Sequence, residues 1–68
     1  MNVDVAKLRG KIVEKGFTVE TLATAIGIDR STLYRKLDAI EKFTIGEARK
    51  IKEVLGLTNA EATQIFLP

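Results

Sequence analysis

The break in helical patterning at Gly27 constrains this chain more than any other feature. Upstream of it, Leu22, Ala23 and Ile26 fall on one helical face, and glycine follows at once, which marks a C-terminal helix stop. Glycine takes the left-handed conformation at no steric cost, and the apolar Ile28 beside it can tuck into the angle between two helices. At Ala23 a methyl group fits a close helix crossing that a larger side chain would force apart. A second helix restarts immediately. Asp29 is its N-cap candidate, Ser31 and Thr32 fill the first turn, and Leu33 and Leu37, four apart, form the buried stripe. Arg30, Ser31, Tyr34 and Arg35 are left on the outer face. The spacing predicts two short helices joined by a tight turn over 18–38, the second covering 29–38.

The flanking segments read as further helices. Val5, Leu8 and Ile12 recur at helical spacing with Val13 beside them, after Asn2 or Asp4 as a cap and before a stop at Lys15-Gly16. This helix is scaffold in the plain reading, with one or two lysines touching phosphate as the alternative. Phe17 and Leu22 can staple the next helix around a Thr18 cap. Thr44-Ile45-Gly46-Glu47 has capping-box spacing, followed by Ile45, Ala48, Ile51 and Leu55 as a buried face and Gly56 as the stop. Thr58-Asn59-Ala60-Glu61 repeats the box before Ala62, Ile65 and Phe66. The segment Asp38-Ala39-Ile40-Glu41-Lys42-Phe43 contains no glycine. The preceding helix is therefore expected to run on by a turn or end irregularly, with Ile40 and Phe43 covering the bottom of the core. The fold class is all-α: one compact bundle of about five short helices over residues 1–68.

Composition narrows the function. Sixty-eight residues with 46% apolar, 29% charged, one proline and no cysteine describe a small folded domain of modest stability, suited to a reducing cytoplasm. No apolar run approaches the roughly 20 residues that span a bilayer, and no signal-peptide pattern opens the chain. Without cysteine or histidine, the usual zinc, thiol and imidazole chemistry is missing, so neither a metal nor a cofactor is expected and no small-molecule ligand is evident. An enzyme built on Asp29, Lys36 or Asp38 would lack a nucleophile, base and pocket presented together. Eleven basic against nine acidic residues leave a net charge of +2. A nucleic-acid partner would therefore depend on how charge is distributed, and a single copy would bind weakly and lose binding steeply with salt.

Taken in order, Leu22-Ala23, Ile26-Gly27-Ile28, Arg30-Ser31-Thr32-Leu33 and Arg35-Lys36-Leu37 resemble the helix-turn-helix of lambda-repressor-like and Cro-like regulators of the XRE type. The likeness extends over nearly the whole chain. It implies a sequence-specific regulator of phage, mobile-element or bacterial origin that binds double-stranded operator DNA. Its second motif helix would lie in the major groove, with Arg30, Ser31, Tyr34 and Arg35 meeting bases. Thr18, Val19, Thr32, Lys36 and Lys42 would meet the backbone. Relatives often carry glutamine where Val19 stands, so here backbone N–H groups would hold the phosphate. The resemblance and the weak charge together imply a homodimer, at least on DNA, and a near-palindromic operator. In the plain reading Phe66 packs back over the first helix and closes the core; in the alternative, which can hold beside it, part of Ile65, Phe66 and Leu67 forms the dimer contacts across a two-fold axis. A chain from Met1 to Pro68 suits a small Cro-like protein and equally an N-terminal domain of a longer repressor. The main alternative is a helical protein-binding module that grips another regulator through its Ile65-Phe66-Leu67 end.

Overall fold

The computed structural model describes all of residues 1–68, and every regular element in it is helical: α1 (Val5–Glu14), α2 (Val19–Ile26), α3 (Arg30–Leu37), α4 (Ile45–Leu55) and α5 (Asn59–Phe66). No helix is long and apolar enough to cross a membrane. Helix α2 packs against both α3 and α4, while α1 pairs with α5. One core of 14 residues joins them, with Leu8, Leu22, Leu33, Ile51 and Ile65 fully enclosed. The two ends of the chain are stitched together: the Asp4 N–H donates to the Ile65 carbonyl at 2.8 Å.

Four helix starts are closed by side chains. Asp4 Oδ1 accepts the Lys7 N–H, and reciprocal capping boxes link Thr18 with Thr21, Thr44 with Glu47, and Thr58 with Glu61. Each box satisfies amide groups that the first turn would otherwise leave unpaired. Helix α3 differs. Asp29 holds the extended cap conformation, but its side chain makes no cap hydrogen bond.

The helix ends share one device. At Gly16, Gly27 and Gly56 the backbone turns left-handed, with φ of 79°, 81° and 64°. In each case the glycine N–H and the next N–H reach back to the last helical turn, as in Gly27 to Thr24 and Ile28 to Ala23, which is a Schellman closure. The residues that follow, Phe17, Ile28 and Leu57, are then drawn onto the core. Leu57 was not among the expected core positions, and its place directly after Gly56 is the signal that marks it.

Several expectations are corrected. Helix α3 neither runs on nor ends irregularly: it closes after Leu37 with the same hydrogen bonds, Ala39 to Lys36 and Ile40 to Arg35, although Ala39 must adopt φ 61°. That turn leaves Ile40 70% exposed while Phe43 is buried. Ile45 lies outside the core at the first position of α4, and Val13 is outside it as well. Phe66 does close the core, meeting Phe43 edge to face at 6.3 Å between ring centres.

Candidate nucleic-acid interface

Helix α3 is positioned from its inner side. Leu33 and Leu37 are buried, and the left-handed Gly27 sets the angle at which α3 leaves α2. At 1.5 Å per residue its eight residues extend about 12 Å. Arg30, Ser31, Tyr34 and Arg35 are all exposed on the outer side, as the helical spacing predicts, and Thr32 is half-buried.

The outer side is already hydrogen-bonded within the chain. The Tyr34 hydroxyl donates to Glu20 of α2 at 2.9 Å. Glu20 is held below the usual carboxylate range first by its own backbone N–H and then by this hydroxyl, while the bond to Glu20 raises the Tyr34 pKa. Arg35 donates from Nε to Glu41 at 2.6 Å and from its terminal nitrogen to the Thr32 hydroxyl at 3.3 Å. Arg9 of α1 pairs with Asp38 at 3.2 Å. Arg30 is exposed and takes part in none of the ion pairs. These partners were not foreseen, because Glu20, Glu41 and Arg9 lie 14, 6 and 29 positions from the residues they engage. Only the folded turn brings them together.

The expected backbone contacts separate into different environments. Thr18 has both its hydroxyl and its N–H engaged with Thr21, and the Val19 side chain packs partly onto the core, so of these two residues only the Val19 backbone N–H is left for a phosphate. Lys42 is exposed and carries no ion pair. Lys36 is corrected outright. It stands three positions after Leu33, on the inward face of α3, and is only 7% exposed. Its ammonium donates to the Lys42 carbonyl at 2.8 Å and pairs with Glu47 at 3.0 Å, with the Phe43 ring centre 6.0 Å away. The stem of the side chain lines apolar surface and the charge is consumed inside. Burial raises the Glu47 pKa, but the Thr44 N–H and Lys36 outweigh it and the net shift is downward.

The expected dimer contacts are corrected in the same way. Ile65 and Phe66 are core residues at 1% and 6% exposure, since a chain this small needs both to enclose its interior; Leu67 alone is open, at 72%. No cluster of acidic side chains has the arrangement of a metal site. No protein-family model matches the chain, and neither a curated protein nor a solved structure matches it.

Proposed function

We propose that the chain is a sequence-specific double-stranded DNA-binding protein, a Cro-like or repressor-type regulator whose α2 and α3 form a helix-turn-helix. The reading is carried by one observation: α3 is braced by its buried side against α2 and presents Arg30, unpaired, at its first turn. A helix about 10–12 Å across with its side chains fits a major groove about 12 Å wide, with the N-terminal residues nearest the base edges. Arg30 would bind guanine through O6 and N7. Ser31 would offer a short hydroxyl, and Tyr34 and Arg35 would reach bases one turn further on after exchanging Glu20 and Glu41 for DNA. Thr32, Lys42 and the backbone N–H of Val19 would hold phosphates, Thr18 keeping its own N–H on the Thr21 hydroxyl.

The acidic partners on this face and the small net charge favour two copies on one near-palindromic site. The molecule measures 28 by 24 by 20 Å, so two copies fit side by side at half-sites about 34 Å apart. In this reading the chain acts by occupancy and performs no catalysis.

Selection of bound duplexes from a random pool at moderate salt, run beside Arg30→Ala/Arg35→Ala, tests the proposal. An enriched near-palindromic motif that the double variant loses supports it, each arginine contributing about 1–3 kcal/mol of discrimination. Absence of enrichment by protein with a helical circular dichroism spectrum overturns it.

A further inference from the structure

Six large apolar side chains are exposed on the molecule, and Met1, Ile45 and Leu67 among them border one groove between α4 and α5. Isolated exposed apolar residues are ordinary, whereas a cluster of them around a concavity points to a partner. The groove has a volume of about 410 Å³, with Phe66 among its lining residues. Its charged side chains are Arg49 and Lys52 of α4. Neither is in an ion pair. Both also line an adjoining hollow, where Glu53, Gly56 and Leu57 join them, but Glu53 does not line this groove.

We infer that the α4–α5 groove docks an amphipathic, acidic peptide segment of another protein. Apolar side chains of the segment enter between Ile45 and Leu67, and its carboxylates meet Arg49 and Lys52. Charge complementarity selects this occupant over a second copy of the chain. A two-fold pairing through the same groove would bring Arg49 and Lys52 toward their own counterparts, and like charges in a partly dehydrated interface oppose association. No residue of α3 lines the groove. Docking there is therefore independent of the DNA-binding reading and compatible with it.

The test is a display selection of random peptides about 12 residues long, some three turns of helix, against the unaltered chain and against Arg49→Glu/Lys52→Glu. The expected products combine bulky apolar residues three or four apart with Asp and Glu. They bind the unaltered chain at least about tenfold more tightly than the charge-reversed one, and lose binding to Leu67→Asp and Ile45→Asp. Circular dichroism verifies that each variant is folded; Leu67→Ala and Ile45→Ala replace any that is not. No enrichment, enrichment of neutral or basic peptides, or equal affinity for the charge-reversed chain overturns the inference. So does a dimer in sedimentation equilibrium that Leu67→Asp dissociates, which would assign the groove to a second copy.

Discussion

The chain reverses direction after α2 at Gly27 and after α3 at Ala39, and both turns close with the same pair of backbone hydrogen bonds. At the first, φ is 81° on a residue with no Cβ; at the second it is 61° on a residue that has one. Left-handed backbone costs an L-residue roughly 1–2 kcal/mol that glycine escapes. The bond pattern and the buried residues on either side thus hold α3 to its length even where the local residue disfavours the conformation. Turn chemistry and core packing agree at Gly27; at Ala39 packing prevails.

The largest test of that contrast removes the packing. Leu37 is buried just before the Ala39 turn, and Leu37→Ala is expected to cost about 2–5 kcal/mol in urea unfolding. A loss under about 1 kcal/mol would mean the turn holds itself. Next, Gly27→Ala should cost about 1–2 kcal/mol. A Cβ there meets nothing within 4 Å, so the penalty is conformational and should appear without loss of helical content. Ala39→Gly should act in the opposite direction and stabilise by about 0.5–1 kcal/mol, the relief of the left-handed backbone exceeding the added freedom of the unfolded chain. A destabilised Ala39→Gly variant would refute the strain assigned to that turn.

The smallest effect leaves both turns alone. Glu61 is held at about 2, below its ordinary 4.5, first by Lys11 and then by the Thr58 N–H. Because folding lowers this pKa, the stability it adds is complete above 4.5 and is lost as pH falls toward 2. The stability difference between the unaltered chain and Glu61→Gln should shrink over that interval, while the differences produced by Gly27→Ala and Ala39→Gly stay constant.

Much of this was legible in the sequence where the cause is local. Five helices, the Thr44 and Thr58 boxes and the stops at Gly16, Gly27 and Gly56 follow from residues a few positions apart. Exposure of Arg30, Ser31, Tyr34 and Arg35 follows from helical period. What escaped prediction depends on distant partners. Lys36 looked like an outward cation until Glu47, from the next helix, gave its charge an inward position. Tyr34 and Arg35 looked free because Glu20 and Glu41 approach only after folding. Phe66 was expected to close the core, and the alternative of a dimer contact at Ile65 and Phe66 fails because Phe43 and α1 help to enclose them. That the α3 face reads DNA is our proposal, resting on the resemblance and on Arg30, and duplex selection decides it.

Glu47 holds the Thr44 N–H at 2.8 Å and the Lys36 ammonium at 3.0 Å. One carboxylate therefore fixes where α4 begins and where the far end of α3 rests. For the evolution of such a chain, positions 36 and 47 behave as a single unit. Losing either partner leaves the other charge poorly hydrated, whereas a matched apolar pair at both positions restores much of what is lost. In a library that varies the two together, each single change should read as a loss and the apolar double change as a recovery. At these two positions the contact between the far end of α3 and the start of α4 is thus easiest to change when both residues change together.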